Sequence, residues 1–269
     1  MANEDVEETY STLSLNVTHD EYENTDLGLF IDWELPTHQR IHFNYNKSLS
    51  EDEYPDTQQI SLGISTDTYD TFSLAMELDY WGNGDYIETR SLRSELTLNT
   101  EDWSLAYSPQ LSIVSIDMSL LQVRQGVERL TNELNLYSLG HQFSISYLGF
   151  ENYLLLAKYF RNKFSETLTN QSKNSLGKRI TVPKFSQLSN LEKSRIEFGI
   201  SRFFSWGSIG VDWLYSDYEF LDDTSALTLL GLDYMITESI SITFSAGAQI
   251  SSTDNSTSNL FGTSLNFYW

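Results

Sequence analysis

The sequence contains no cysteine, only four prolines and only four histidines in 269 residues. The absence of cysteine excludes disulfides, thiolate metal sites and cysteine nucleophiles. Basic residues are also few, because 16 Lys and Arg stand against 38 Asp and Glu, which gives a formal net charge of −22. An acidic excess of this size repels nucleic-acid phosphates, so we expect no nucleic-acid partner.

No stretch of the chain approaches the roughly 18 apolar residues that a membrane-spanning helix needs. The beginning of the chain shows no apolar signal segment either, since Met1 is followed by Ala2-Asn3-Glu4-Asp5. Two interpretations fit these absences: a chain that is never exported, and a mature exported chain that begins at Ala2 behind an added Met1. The periodicity of the rest of the chain favours the second.

The dominant pattern is an alternation of apolar and polar residues, which indicates strands with one apolar and one polar face. The clearest example is Phe72, Leu74, Met76, Leu78 and Tyr80, interleaved with Ser73, Ala75, Glu77 and Asp79. Along the chain the alternation predicts fourteen strands, at 8–17, 25–34, 38–47, 57–66, 70–81, 86–99, 102–116, 131–148, 151–164, 193–204, 207–219, 224–236, 238–250 and 258–269. Leu134 and Leu136 fall out of phase with Phe143, so we expect a bulge or an extra turn within 102–148.

The connections between the predicted strands alternate between long and short. The short ones lie on the side of both termini, near 35–37, 67–69, 99–101, 149–150, 205–206 and 237. The opposite ends carry the longer ones, at 18–24, 48–56, 117–130, 165–192, 220–223 and 251–257, with the tight turn at Gly82-Asn83-Gly84-Asp85 as the exception. An even strand number with short turns beside the termini is the arrangement of an outer-membrane barrel, and a soluble sandwich gives no reason for it.

Aromatic residues concentrate near the ends of the predicted strands. On the side of the short turns we predict an aromatic girdle formed by Trp33, Trp103, Tyr147, Tyr234, Phe267 and Trp269. Near the opposite ends lie Tyr45, Tyr80, Trp81 and Tyr215. Amphipathic rings are favoured at the two membrane–water interfaces, whereas the core of a soluble β-protein concentrates its aromatics in mid-strand.

The last ten residues, Leu260 to Trp269, alternate apolar residues and finish on an aromatic. This segment resembles the C-terminal signal of Gram-negative outer-membrane β-barrel proteins, although Phe is more usual than Trp in the last place. The resemblance implies a location in the bacterial outer membrane, contacts with outer-membrane lipid and lipopolysaccharide, and recognition of the last strand by the barrel-assembly machinery. In size and strand count the chain is similar to small monomeric fourteen-stranded porins.

We therefore predict an all-β protein, a transmembrane antiparallel up-and-down barrel over 8–269 with about 14 strands (roughly 12–16). A short periplasmic tail precedes it at 1–7, no plug domain is expected, and the last strand pairs with 8–17. The apolar face contacts lipid and the polar face lines a hydrated lumen, in which opposite charges on neighbouring strands form ion pairs. The predicted pore-lining residues are Asp32, Arg40, Glu77, Asp79, Arg93, Glu95, Lys158, Arg195, Glu197, Asp212 and Asp233.

The function favoured by this pattern is passive diffusion of small solutes or ions, with a mild preference for cations. The longest connection, 165–192, is basic and is predicted to constrict the pore through Lys173, Lys178, Arg179 and Lys184; the alternative is a mobile solvated loop. The acidic loop residues Asp20, Glu21, Glu23 and Asp26 either concentrate cations at the mouth or only keep the loop solvated.

Two other functions stay open. The first is a structural or partner barrel, a translocation pore or an anchor for a periplasmic or surface protein, with the acidic segment 4–8 as its docking element. The second is an outer-membrane hydrolase centred on His19 and Asp20 in the first loop, since neither His42 nor His141 lies in a recognisable catalytic context. We expect no enzyme, because no convincing catalytic constellation is present, and no metal or cofactor.

Overall fold

The computed structural model describes residues 11–20, 24–37, 39–49, 56–66, 71–83, 87–117, 133–150, 152–165, 192–218, 223–252 and 257–269. In chain order the strands are β1 (Thr12–Asp20), β2 (Thr25–Glu34), β3 (Arg40–Leu49), β4 (Thr57–Ser65), β5 (Phe72–Gly82), β6 (Ile87–Asn99), β7 (Trp103–Asp117), β8 (Glu133–Phe150), β9 (Tyr153–Phe164), β10 (Glu192–Phe204), β11 (Gly207–Tyr218), β12 (Asp223–Thr237), β13 (Ile240–Ser251) and β14 (Thr257–Tyr268). The described residues contain no helix that is long and apolar enough to cross a membrane. The described part of the chain is all-β, which confirms the predicted fold class.

Each strand pairs antiparallel with its neighbours in sequence, and β14 pairs with β1 to close the barrel. The closing pair runs in register from Thr12 opposite Tyr268 to Asp20 opposite Leu260. Beyond it, Ser11 N donates to Trp269 O at 2.9 Å and Trp269 N donates to Ser11 O at 3.1 Å. Closure by the last strand is therefore confirmed, and the sheet keeps no open edge, as a barrel in hydrocarbon requires.

The two faces of the sheet differ as the alternation predicts. On β5, the side chains of Phe72, Leu74, Met76 and Leu78 are exposed on one face. Side chains two strands apart meet on the opposite face: His42 of β3 contacts Glu77 of β5 across β4. Such contacts span an intervening strand on the concave side of a closed sheet, so the polar face is the inner wall and the apolar face is the outer wall.

The expected bulge is absent from the pairing of β7 with β8, and residues 118–132, where an extra turn was the alternative, lie outside the described residues. Strands β7 and β8 pair without a register shift from Trp103 opposite Tyr147 to Asp117 opposite Glu133. Leu136 is out of phase because it lies on the inner face, where it is fully buried, as is Val114 on β7. Near the loops, this part of the inner wall is apolar. The alternation changes phase there because inward positions carry apolar instead of polar side chains. Register shifts occur close to strand ends: between Tyr147 and Phe150 on β8, between Glu192 and Ser194 on β10, and between Met235 and Thr237 on β12.

The first loop is shorter than predicted. Residues 18–20 continue β1, whereas the predicted beginning of this strand at 8–10 lies outside the described residues. Asp20 is buried and accepts hydrogen bonds from the backbone N and side-chain Nδ2 of Asn24, at 3.0 and 2.8 Å. Asp26 is likewise a strand residue, in β2. These two acids belong to the end of the barrel wall, so their assignment to the first loop was wrong.

Candidate functional site: the inner wall of the barrel

All eleven predicted pore-lining residues lie on the inner face of the barrel, as their pairing parity and polar contacts show. They are Asp32, Arg40, Glu77, Asp79, Arg93, Glu95, Lys158, Arg195, Glu197, Asp212 and Asp233. Successive side chains of a strand point to opposite faces, so each of these residues points inward while its neighbours in the sequence point outward.

Strands β2 to β6 carry a chain of ion pairs across the inner wall. Arg40 donates to Asp32, with Nη2 2.7 Å from Oδ2 and Nε within 3.2 Å of both oxygens. Glu77 accepts a hydrogen bond from Arg93 on the next strand, and its other oxygen lies 3.2 Å from His42 Nε2. The ion pairs predicted from alternating signs are therefore present, and they connect neighbouring strands as side-chain pairs do in stable sheets.

The contact from His42 to Glu77 depends on Gly63 of β4. A Cβ atom at position 63 would coincide with the His42 imidazole, which lies across the bare backbone there. Any larger residue would displace the ring and break the bridge between β3 and β5. Sequence reasoning assigned no role to this glycine, because its neighbours become visible only when three strands are in register.

A second charged group lies on β8 to β11. Lys158 Nζ donates to Glu197 Oε1 at 2.8 Å. Arg195 reaches across β9 to Gln142 Oε1 at 3.2 Å, and its Nη1 lies 3.2 Å from Glu192. Asp212 pairs opposite Gly199 and is exposed to the lumen. Its carboxylate is therefore the acidic group of this sector that solvent in the lumen reaches most directly.

Several other acids on the inner wall are held by neutral donors. Asp233 accepts from Ser241 Oγ at 3.0 Å and from Thr243 Oγ1 at 2.8 Å. Glu95 accepts from Ser108 Oγ at 2.7 Å. Hydroxyl donors orient these carboxylates without cancelling their charge.

The inner wall as a whole is acidic. Among residues whose side chains are described, its basic members are Arg40, Arg93, Lys158 and Arg195, and its acidic members are Asp20, Asp26, Asp32, Glu34, Glu77, Asp79, Glu95, Glu192, Glu197, Asp212 and Asp233. The described part of the inner wall therefore carries more acidic than basic side chains. A lumen lined mostly by one sign of charge, with low-dielectric walls, raises the local concentration of the opposite ion.

The open side of the lumen lies along β10 to β12. A Cβ atom at Gly231 of β12 would meet no heavy atom within 4 Å. The inward-facing residues Phe203, Asp212 and Met235 of β10, β11 and β12 are exposed on the same side. Sequence reasoning missed Gly231, although the inward glycines at 210, 231, 247 and 262 were a usable signal for a sector with little side-chain volume.

The two ends of the inner wall differ in burial. Near the short turns, the inward side chains of Asp32, Arg40 and Asp233 are only partly buried. Near the loops, inward side chains around the barrel are buried: Asp20, Ser48, Thr57, Trp81, Thr89, Val114, Leu136, Asn162, Glu192, Tyr218, Ser225, Gln249 and Ser258. The interior is therefore closely surrounded by protein at the loop end and more open toward the turns.

The predicted girdle residues Trp33, Trp103, Tyr147, Tyr234, Phe267 and Trp269 all lie at the turn end, and those within strands are on the outer face. The rings of Trp103 and Tyr147 are 4.3 Å apart. Trp81 departs from the predicted opposite girdle, because it faces inward and is buried.

The proposed constriction residues Lys173, Lys178, Arg179 and Lys184 lie outside the described residues, as does the acidic segment 4–8.

The described histidines are spread over both walls. His19 and Asp20 are consecutive residues of β1 and point to opposite faces, so the couple considered for hydrolysis does not form. His19 contacts Thr25, His42 belongs to the ion-pair chain, and His141 lies on the outer face with Nδ1 2.7 Å from the Tyr107 hydroxyl. Within the described residues no group of His, Asp and Glu side chains has the arrangement of a metal site.

Taken together, the closed sheet, the apolar outer wall and the polar, charged lumen define a porin-type β-barrel. No known family model and no curated protein sequence matches the chain. Among solved structures it is similar to an anion-selective porin from Comamonas acidovorans, with 8% identity, a TM-score of 0.52 and coverage of 97% of this chain and 98% of that one. It is also similar to outer-membrane expressed OmpT of Vibrio cholerae, with 9% identity, a TM-score of 0.50 and coverage of 97% and 96%. At such identities these likenesses show the fold, which is that of outer-membrane porins.

Proposed function

We propose that this barrel is a passive channel of a bacterial outer membrane, which lets small solutes and ions diffuse and favours cations. The observation that carries the proposal is the inner wall: it is polar over most of its length, open along β10 to β12, and lined by more acidic than basic side chains. The exposed apolar outer wall supports the location, because a surface of this extent is stable only against lipid.

The proposed preference for cations rests on this chain's own residues. The barrel from Comamonas acidovorans is described as anion-selective, so the shared fold carries no selectivity of its own. Here the acidic excess includes Asp212, exposed in the lumen, and Asp233, held by hydroxyl donors rather than by a base. A channel function also accounts for the inner wall without a catalytic group, and we therefore propose that the protein is not an enzyme.

Replacing Asp212 by Asn tests the proposed selectivity. The change removes one charge from the open side of the lumen while keeping the side-chain shape, so we expect the cation-to-anion permeability ratio to fall about twofold with little change in conductance. The measurement is the reversal potential of single channels in a salt gradient. The matched control is Asp217→Asn on the outer face of the same strand, where the carboxylate lies 3.5 Å from Lys193. An unchanged ratio for Asp212→Asn, or an equal shift in both variants, contradicts the proposal.

We also propose that the pore is narrowest on the loop side, through the basic connection 165–192. The burial of inward side chains around the loop end of the wall supports a narrow passage there. Deleting 168–188 is then expected to raise single-channel conductance, because the removed segment includes Lys173, Lys178, Arg179 and Lys184. Bilayer recording of the variant, folded as judged by its electrophoretic mobility without boiling, is the measurement. Conductance and current noise equal to those of the parent chain count against the constriction.

A further inference from the structure

The outer wall carries basic side chains near the loop ends of its strands. The described residues include ten Lys and Arg, and five of these lie on the outer face toward the loops: Lys47, Arg90, Arg161, Lys163 and Lys193. In a chain with a net charge of −22, this grouping of basic residues on a wall that faces lipid is unexpected. Charged side chains are expensive in hydrocarbon and are kept where they reach the polar headgroups.

Two of the five have no acidic partner among the residues that the structure describes. Lys47 lies 3.3 Å from Asp56, Arg90 lies 3.2 Å from Glu88, and Lys193 lies 3.5 Å from Asp217. By contrast, Arg161 and Lys163 of β9 are exposed, and neither makes an ion pair within the described part of the chain. Their positive charge is therefore available to a ligand outside the protein.

The surroundings of Arg161 add further polar groups. His141 of β8 pairs opposite Arg161 and contacts the Tyr107 hydroxyl, and Ser194 of β10 pairs opposite Arg161 on the other side. On β9 the outer face changes from Tyr159 to Arg161 and Lys163 as the strand approaches its loop. Cross-strand neighbours in a sheet are about 5 Å apart, so these side chains form one patch.

We propose that this patch, Arg161 and Lys163 with His141 beside them, binds the phosphate groups of a phosphorylated glycolipid in the leaflet on the loop side. A guanidinium matches phosphate oxygens bidentately, an ammonium adds a point charge, and the histidine–tyrosine pair adds hydrogen-bond capacity. The lipid headgroup is the favoured source of phosphate because the patch lies on the outer wall, at the loop end of its apolar face. The inference rests on the proposed membrane location and is independent of conduction.

The test uses the full chain in phosphatidylcholine nanodiscs titrated with purified lipid A that carries its phosphates. We expect the double variant Arg161→Gln/Lys163→Gln to bind lipid A about thirtyfold more weakly than the parent chain, since each basic residue near a lipid surface contributes a comparable increment. The matched control is Lys47→Gln/Arg90→Gln, which removes two outer-wall charges that already have acidic partners and which is expected to bind nearly as the parent does. Unboiled mobility establishes that every variant is folded.

Three outcomes would overturn the inference. They are equal lipid A affinity in the double variant and the parent, equal binding of dephosphorylated lipid A, and inorganic phosphate binding as tightly as the lipid, which would indicate a free-anion site. Single-channel conductance of the double variant, recorded alongside, is expected to stay unchanged. A silent parent chain that still binds lipid A through Arg161 and Lys163 would refute the channel and leave the lipid site standing.

Discussion

Replacing Gly231 by Trp is expected to reduce the single-channel conductance by roughly half or more, without loss of the folded barrel. A side chain added at position 231 enters open space, because its Cβ meets no heavy atom within 4 Å. An indole carries roughly 150–250 Å² of surface, which is large compared with the free section of a barrel whose other walls are lined by long polar side chains. The change therefore places bulk in the passage that we assign to the permeating ions.

The control for this prediction is the preceding residue. Leu230 lies on the outer face of β12 and is 51% exposed, so Leu230→Trp places the same indole on the lipid side of the same strand. We expect this variant to conduct as the parent chain does. A folded Gly231→Trp barrel with full conductance would show that ions follow another path, and an equal loss in both variants would show a general effect on folding or insertion.

Removing Phe267, Tyr268 and Trp269 is expected to abolish assembly of the barrel. These residues pair with the beginning of β1, and Trp269 exchanges two backbone hydrogen bonds with Ser11. Their loss leaves donors and acceptors of β1 and β13 unpaired at the level of the aromatic rings of the turn end. An unsatisfied backbone group costs up to several kcal/mol at the edge of the hydrocarbon, and several such groups together approach the usual stability of a folded domain.

The substitution Trp269→Phe distinguishes the contribution of the backbone hydrogen bonds from that of the indole ring. It keeps the hydrogen bonds to Ser11 and an aromatic side chain at the last position, so the barrel is expected to assemble nearly as the parent does. The measurement is the fraction of chain that enters lipid vesicles in a form resistant to protease and to unfolding by detergent without boiling. A truncated chain that assembles normally would contradict the closing role of β14, and failure of Trp269→Phe would assign the effect to the indole itself.

The strands were predictable because one face of each must be apolar against lipid while the other remains polar. That requirement repeats fourteen times, so the count and most strand bounds follow from the alternation alone. It fails where the inner wall is itself apolar. Leu136 and Val114 carry apolar side chains into the interior, and the reversed phase then imitates a bulge. Trp81 was wrongly assigned to a girdle because it is another apolar side chain on the inner wall. Its position near a strand end does not show which face it occupies.

The charged residues of the inner wall were also predictable, but their partners were only partly so. Parity alone places Glu77 and Arg93 inward, and signs that alternate along a strand predict pairing with the next strand. The contact from His42 to Glu77 requires the combined register of β3, β4 and β5 and a glycine between them, and no local pattern encodes these together. The open side of the lumen was not predictable from a local pattern either, because it depends on the side-chain volumes of all the strands around the barrel.

The measurement that tests the channel most directly is the current carried by the folded parent chain in a planar bilayer separating two concentrations of potassium chloride. We predict discrete conductance steps, with a reversal potential of the sign set by potassium, because the inner wall combines an open path along Gly231 with an acidic excess. Folded, inserted protein that passes no current, or steps with a reversal potential set by chloride, would contradict the proposal.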